Sequence, residues 1–291
     1  MFILIFAILS FVSIFVLFRY FEKWNIDNLQ ALVVNYFVAA ALSFFIYSGE
    51  DKLSDSINQA WFPSAVILGV MFMISFYLYA LSTQKSGVAI TAVASKMSVI
   101  IPVIIGAFLY ENESLNIVKY SGLTLALVSF YLIFKSKEGT QLNLKLLLLP
   151  SIIFFFSGAN DTFMKWIKDT YVETASNSLN NEIHFIGVLF TVSLLTSIVF
   201  MLAHQIRKPT PIHWASIGGG ALLGIINVLS ATSMFLAMGK FESGFFFPIF
   251  NVSIVALSAL SGIVLFREKL STVNLIGILL ATITIGVIAL G

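Results

Sequence analysis

Long apolar runs separated by short polar stretches dominate this sequence. Most of the runs are about 17–25 residues long, which is the length that an α-helix needs to cross the ~30 Å hydrocarbon core of a bilayer. Hydrophobic residues make up 59% of the 291 positions and charged residues only 10%, and the mean hydropathy is +0.99. Soluble domains contain about 45–50% apolar residues. The sequence therefore excludes a soluble fold and predicts an all-α membrane protein.

Charged residues, prolines, asparagines and glycines mark the ends of ten predicted transmembrane helices. The predicted spans are 2–18, 29–48, 61–82, 87–109 and 117–134, followed by 144–164, 183–204, 212–238, 243–266 and 272–290. The N-terminus has neither a basic n-region nor a small-residue cleavage site, so we expect the first helix to be retained. No insertion is long enough for a soluble domain, and we expect a multi-pass protein of the cell (inner) membrane, surrounded by lipid.

The second half of the chain repeats features of the first half at a displacement of 155 residues. The pattern Glu-x-Leu, followed after six residues by Gly, occurs once in each half, and each half also contains a matching Leu-Gly pair. The matched positions are Glu113 with Glu268, Gly122 with Gly277, and Gly69 with Gly224. Their shared order predicts two five-helix repeats, residues 1–140 and residues 141–291.

An odd number of helices per repeat requires the second copy to enter the membrane upside down relative to the first. The predicted architecture is therefore ten transmembrane helices arranged as two inverted five-helix repeats. In such proteins a pseudo-twofold axis lies in the membrane plane, and substrate sites lie near the midplane where the repeats meet. The architecture favours a transporter.

The 5+5 helix pattern and the Glu-x-Leu-(x6)-Gly motif resemble the drug/metabolite transporter superfamily, in its EamA-type branch. The resemblance covers the whole chain, and Arg267-Glu268-Lys269-Leu270 is the cleaner copy of the motif, since an extra acid precedes Glu113. It implies a permease for a small solute, because members of the superfamily move amino acids, sugars, phosphorylated metabolites and drugs. We interpret Glu113 and Glu268, which lie at predicted helix ends, as structural or gating elements.

The orientation in the membrane has two conflicting indications. Alternate loops carry ten Lys and Arg residues on one side and five on the other. Positive-inside reasoning then places both termini outside the cell. The family resemblance instead implies that both termini lie in the cytoplasm, and the sequence leaves both orientations open.

Lys96 is the most informative single residue, because it lies about ten residues from either end of predicted helix four. That places it roughly 14 Å from each interface, farther than a lysine side chain extends to reach water. A lysine at the membrane centre costs about 2.5–3.5 kcal/mol, so such residues mark substrate paths, proton relays or buried ion pairs. The alternatives are a lysine paired with a carboxylate purely for packing, or a helix shifted enough to hydrate it. As a binding residue, Lys96 would favour a carboxylate or phosphate.

Other polar residues within the spans are candidates for substrate binding. Asn251 lies 155 positions after Lys96, so the two would face each other across the pseudo-twofold axis. Asp161 is the natural counter-ion or proton carrier for Lys96, or else a solvated charge near a helix end. The remaining candidates, each also explained by helix packing or interfacial anchoring, are Asn160, Tyr79, Asn35, Asn227, Tyr36, Tyr77 and His184.

Pro102 and Pro248 lie inside predicted helices four and nine, where each removes a backbone hydrogen bond and favours a kink. Kinks in both central helices would suit alternating access, although proline is also better tolerated in transmembrane helices than in soluble ones. We therefore expect the two prolines to act as hinges.

The function favoured by these features is secondary transport of an anionic or zwitterionic metabolite, such as an amino acid or an organic acid. Export of neutral or cationic drug-like solutes is the alternative within transport, and it gains weight if Asp161 neutralises Lys96. A non-transporting scaffold subunit is the alternative of another class. An enzyme is not expected, because the sequence has neither His-Glu-x-x-His nor Gly-x-Ser-x-Gly. We expect no cofactor, metal or nucleic acid, a monomer or homodimer, and a role for a coupling proton or ion only if a carboxylate is desolvated.

Overall fold

The structure is a computed structural model, and it describes residues 2–49, 53–101, 104–105, 117–134, 144–167, 170–171, 178–238 and 243–290. Within these residues the chain forms ten α-helices of at least ten residues, and a 3₁₀-helix covers Leu53–Asn58. The α-helices are α1 Phe2–Lys23, α2 Asn28–Ile46, α3 Phe62–Ser86, α4 Val88–Met97, α5 Ile117–Phe134, α6 Leu144–Ile167, α7 Ser178–Arg207, α8 Trp214–Met238, α9 Ser243–Phe266 and α10 Thr272–Leu290.

The length and composition of these helices fit a bilayer. In the described part of the chain, six helices are long and apolar enough to cross a membrane, and shorter apolar helices accompany them. Their outward side chains are largely apolar, as with Phe37 and Phe45 on α2. Lipid replaces water around such surfaces, so the exposed apolar residues require no partner protein. The prediction of an all-helical membrane protein is confirmed, and ten helices fit the described chain.

The helices group into two compact units that each draw on both halves of the sequence. Unit 1 consists of Met1–Ala80 and Phe163–Leu236, and unit 2 consists of Leu81–Thr162 and Ala237–Gly291. Unit 1 therefore contains α1, α2, most of α3, α7 and most of α8. Unit 2 contains α4, α5, most of α6, α9 and α10. The division into repeats at residues 1–140 and 141–291 is a division by sequence and stays a prediction.

Unit 1 is built on the antiparallel pair of α2 and α7. Near the start of α7, the ring of His184 packs against Tyr47 and Phe44 at the end of α2, with centroids 4.8 and 6.0 Å away. Halfway along the pair, the rings of Tyr36 and Phe190 lie 6.1 Å apart. Both of these rings are fully buried. Large aromatic side chains therefore fill the centre of the interface.

Two glycines allow α3 and α8 to approach this central pair closely. A Cβ atom at Gly69 of α3 would lie 2.7 Å from Val192 Cβ and 2.9 Å from the carbonyl oxygen of Leu189, both on α7. At Gly224 of α8, it would lie 2.8 Å from Val38 Cβ on α2. The carbonyl oxygen three positions before Val38 would be 2.6 Å away. Backbone contact at small residues is the usual way in which membrane helices pack.

Unit 2 is built around α10, which packs on α5 and α9, while α4 packs on α9. Its buried core consists of small and branched apolar side chains: Ala89, Val93, Met97, Ile100, Val255, Ala259, Ile278, Ala281 and Ile285. A polar tie joins α10 to α5, because the side-chain amide of Asn274 donates to the carbonyl oxygen of Leu132 at 3.3 Å. Gly122 of α5 and Gly277 of α10, the two glycines of the repeated motif, are both buried.

The fourth helix differs from its prediction as one span over 87–109. Helix α4 ends at Met97, a turn covers Ser98 and Val99, and helical backbone resumes at Ile100. The Ser98 hydroxyl donates to the carbonyl oxygen of Ser95, which competes with the helical backbone pattern. Pro102, which was predicted to kink this helix, lies outside the described residues.

Candidate functional site

Lys96 lies one residue before the end of α4, next to the helix break. Its side chain is only 9% exposed. Because it belongs to the last turn of α4, its ammonium group interacts favourably with the negative end of the helix dipole. The expectation that Lys96 lies far from both ends of a continuous helix is therefore wrong, since the break at Ser98 creates a helix end beside it. Lys96 is therefore a buried cation whose position is set by the end of α4.

The ring of Phe250 on α9 supports this cation. Lys96 Nζ lies 5.4 Å from the centroid of the ring, within the range of a cation–π interaction, which stabilises a desolvated cation by about 2 kcal/mol. Phe250 is itself almost fully buried. Asn251, the next residue of α9, is also buried, with 8% of its surface exposed. The residue of α9 in contact with Lys96 is Phe250, and the predicted pairing of Lys96 with Asn251 across the pseudo-twofold axis stays a prediction.

Helix α6 brings a carboxylate and an amide to the same unit. Asp161 interacts electrostatically with Lys96, and its side chain is exposed, whereas Asn160 beside it is buried. Close packing at Gly158 holds α6 in place, since a Cβ atom there would lie 2.7 Å from Ile101 Cβ, just after the α4 break. Among the described residues, unit 2 therefore contains the buried Lys96, a carboxylate that interacts with it, and two buried side-chain amides, Asn160 and Asn251.

Glu268 fixes the other end of α4. Its Oε1 atom accepts the backbone N–H of Val88 at 2.7 Å, and Oε2 accepts that of Ala89 at 3.4 Å. A carboxylate at a helix N-terminus satisfies free N–H groups and complements the helix dipole. Gly87, with φ +95°, and Gly262 leave the room that the carboxylate occupies, since a Cβ atom at either would clash with it. Glu268, which belongs to the repeated Glu-x-Leu motif, therefore positions the helix that carries Lys96.

Unit 1 contains a second, uncharged polar cluster. The side-chain amide of Asn227 on α8 donates to Asn35 Oδ1 on α2 at 3.3 Å, and both residues are buried. Asn35 Nδ2 and the hydroxyl of Tyr36 are buried without a hydrogen-bond partner among the described residues. Tyr79 on α3 packs against Phe15, with ring centroids 5.5 Å apart. The observed bond is a helix-packing contact, which was one of the two interpretations open from the sequence.

The candidate binding residues thus separate into two sets. Lys96, Asn160, Asp161 and Asn251 belong to unit 2, and Asn35, Tyr79 and Asn227 belong to unit 1. Among the proposed hinges, Pro102 lies outside the described residues, and helix α9 continues without interruption through Pro248. Glu113 also lies outside the described residues.

Two contacts of the candidate site were not predicted from the sequence. Phe250 is one of 29 phenylalanines, and only its position next to Asn251 distinguishes it. The contact of Glu268 with the start of α4 spans 180 residues, and nothing local to the motif indicates it. The one local sequence feature near this contact is Gly87 itself. Its φ of +95° is a conformation that only glycine adopts without strain.

Comparison with known proteins adds three findings. The sequence model of the EamA-like transporter family matches residues 1–135. An uncharacterized protein of Haemophilus influenzae is 26% identical over 284 residues, covering 95% of this chain and 93% of that protein. A solved crystal structure of another protein superposes with a TM-score of 0.62 at 14% identity, over 98% of this chain and 94% of the other. At that identity the structure supports the fold alone.

Proposed function

The first 135 residues of this chain match the sequence model of the EamA-like transporter family, and on that premise we propose that the chain is a member of this family and moves a small anionic or zwitterionic metabolite across the cell membrane by alternating access. An amino acid or an organic acid fits this description. The members of this family are membrane transporters of small solutes. The substrate class and the mechanism are the parts that we propose here.

The observation that carries the proposal is the position of the Lys96 ammonium group. It is buried, it lies at the end of an interrupted transmembrane helix, and an aromatic ring lies 5.4 Å away. Interrupted helices near the midplane are the usual location of substrate sites in secondary transporters. A buried cation favours a carboxylate or phosphate, because an anionic ligand offsets the cost of keeping the charge out of water. Asn160 and Asn251 would donate further hydrogen bonds to such a group.

The proposed alternating access rests on an inverted repeat, and contacts within unit 1 support it. Gly69 and Gly224 are 155 positions apart, and each meets a valine Cβ and the carbonyl oxygen three residues before that valine. The valines, Val192 and Val38, are 154 positions apart. Equivalent positions therefore make equivalent contacts, as a pseudo-twofold axis requires. The axis would run between α2 and α7.

The electrostatic interaction between Lys96 and Asp161 favours a second candidate function. If Asp161 neutralises Lys96 in every state, the site has no net charge to offer. Export of a neutral or cationic drug-like solute, packed against aromatic residues such as Phe250, then becomes the better description. The two candidates differ in whether the solute needs the ammonium group.

Ligand-induced thermal stabilisation separates these candidates. Purified wild-type protein, Lys96→Met, Lys96→Arg and the control Lys85→Met would be screened in detergent against amino acids, organic acids, phosphorylated sugars and organic cations. Lys85 is the matched control because its side chain is exposed at the end of α3. A bound ligand raises the apparent melting temperature by mass action.

We expect an anionic or zwitterionic solute to stabilise the wild type and Lys85→Met, to stabilise Lys96→Arg less, and to leave Lys96→Met unchanged. If the solute stabilises Lys96→Met to the same extent as the wild type, Lys96 is not part of the binding site. Stabilisation by organic cations alone would favour the drug-exporter function instead.

A further inference from the structure

Gln30 ties the start of α2 to the segment that enters α8. Its side-chain Nε2 donates to the carbonyl oxygen of Pro211 at 2.8 Å, and its Oε1 accepts the backbone N–H of His213 at 3.1 Å. Gln30 is buried. A second contact lies beside it, because the backbone N–H of Asp27 donates to the hydroxyl of Ser216 at 3.0 Å. One amide side chain thus holds a connecting segment through both of its polar atoms.

His184 makes the corresponding contact for the segment that enters α3. Its Nε2 atom lies 2.6 Å from the hydroxyl oxygen of Ser56 in the 3₁₀-helix Leu53–Asn58. The ring is 4% exposed and packs edge-on against Trp61, at 6.0 Å between centroids. One buried polar side chain of α7 thus fixes the 3₁₀-helix before α3.

The two contacts are equivalent under the same displacement that relates the repeats. His184 lies 154 positions after Gln30, and Pro211 lies 155 positions after Ser56. They are also at opposite ends of the α2–α7 pair, since His184 packs beside Phe44. Fourteen residues of helix separate Gln30 from Phe44, which is about 21 Å at 1.5 Å per residue. Because α2 is long and apolar enough to cross a membrane, we infer that the two contacts lie near opposite membrane faces.

We propose that Gln30 and His184 are opposing latches, each of which closes one end of the transport path. This inference rests on the proposed transport function and adds the residues that set the balance between its two access states. Both latches are formed in this structure. Opening at one face breaks only the latch at that face, so loss of one latch favours opening at its own end. The two single variants therefore shift the balance of access in opposite directions.

The test uses Gln30→Met and His184→Phe, which remove the hydrogen bonds but keep much of the side-chain volume. The chain contains no cysteine, so a reporter introduced as Ala159→Cys has no background. Ala159 is exposed beside Asn160 and Asp161. The rate at which a membrane-impermeant maleimide labels the reporter would be measured from each face, in right-side-out and in inverted membrane vesicles.

We expect Gln30→Met to raise the labelling rate from one face by about three- to ten-fold, since loss of a net hydrogen bond changes a two-state ratio by that factor. His184→Phe should raise the rate from the opposite face by a similar factor. The double variant should raise both rates and return their ratio to the wild-type value. His184→Gln places at this position the residue type of the other latch, which can still hydrogen-bond to Ser56. Unlike His184→Phe, this variant should keep the wild-type labelling rates.

Gln205→Ala is the matched control. Gln205 binds Thr210 of the same connecting segment through both of its polar atoms, at 2.6 and 2.7 Å, but it belongs to α7 and does not tie the segment to α2. Its loss should leave both labelling rates unchanged. The proposal is overturned if both latch variants shift the ratio in the same direction, if neither shifts it, or if the control matches them. Failure of the transport function would appear separately, as the absence of a Lys96-dependent ligand in the thermal screen.

Discussion

Tyr36 and Phe190 lie 154 positions apart in the sequence, and their rings meet with centroids 6.1 Å apart in the middle of the α2–α7 pair. A residue that contacts its own repeat counterpart is the arrangement expected on a twofold axis. The same displacement relates Gln30 to His184 and Val38 to Val192. Within unit 1 the axis that we propose would therefore pass close to these two rings.

The two glycines that flank this axis should be equally intolerant of alanine. A Cβ atom at Gly69 or Gly224 would lie within 3 Å of backbone oxygen atoms that have little freedom to move. We expect Gly69→Ala and Gly224→Ala each to destabilise the protein by about 1–3 kcal/mol, as overpacking does. Thermal unfolding in detergent measures the effect.

Gly218→Ala provides the control for this pair, because nothing lies within 4 Å of a Cβ atom at that position. Alanine favours helix over glycine by up to about 1 kcal/mol, so this variant should be as stable as the wild type or slightly more stable. Equal destabilisation by all three substitutions would contradict the assigned contacts. Tolerance at only one of Gly69 and Gly224 would contradict their equivalence.

Loss of the Glu268 carboxylate should loosen α4. Glu268→Ala removes the acceptors of two backbone N–H groups, and loss of such a cap costs about 0.5–2 kcal/mol. Glu268→Gln keeps one acceptor oxygen and should retain part of that stability. The measurement is the apparent melting temperature, with the exposed Lys269→Ala next to it as control. The capping role fails if Glu268→Gln is as unstable as Glu268→Ala.

The contact between Lys96 and Phe250 should appear as a coupling free energy. Phe250→Leu removes the ring face but keeps an apolar side chain, so it should cost more in the presence of Lys96 than in the Lys96→Met background. A cation–π interaction at a desolvated position gives a difference of about 2 kcal/mol. A double-mutant cycle on thermal stability isolates this term. Additive effects of the two substitutions would mean that the ring does not stabilise the cation.

Asn35 and Asn227 should be coupled more weakly. Hydrogen bonds between membrane helices are worth about 0.6 kcal/mol on average and up to about 1.7 kcal/mol. A cycle with Asn35→Ala and Asn227→Ala should give a coupling in that range, without loss of ligand response, because the pair serves packing. Loss of the ligand response in either variant, with the protein still folded, would place this pair in the binding site.

Helix positions were largely predictable from the sequence, whereas the partners of each helix were not. The predicted span 243–266 coincides with α9, and 272–290 coincides with α10. Such agreement is expected because bilayer thickness fixes span length and polar residues mark span ends. The start of α7 at Ser178 was missed by five residues, because its first turn is polar.

Pairing between helices leaves little trace in the apolar pattern. All faces of a membrane helix are apolar, and there is no hydrophobic driving force between helices in lipid. The contact of Glu268 with α4 and the choice of Phe250 as the partner of Lys96 therefore required the structure. The sequence predicted one span over 87–109 with a kink at Pro102, and the break at Ser98 and Val99 was not predicted.

Uptake by proteoliposomes tests the central claim most directly. The radiolabelled form of the anionic or zwitterionic solute that most stabilises the wild type would be offered to vesicles containing wild-type protein, Lys96→Met or Lys85→Met, each preloaded with unlabelled solute. We predict equal exchange by the wild type and Lys85→Met, and at least a ten-fold lower exchange rate for Lys96→Met. A ten-fold change in rate corresponds to about 1.4 kcal/mol in activation free energy. Undiminished exchange by Lys96→Met would contradict the account.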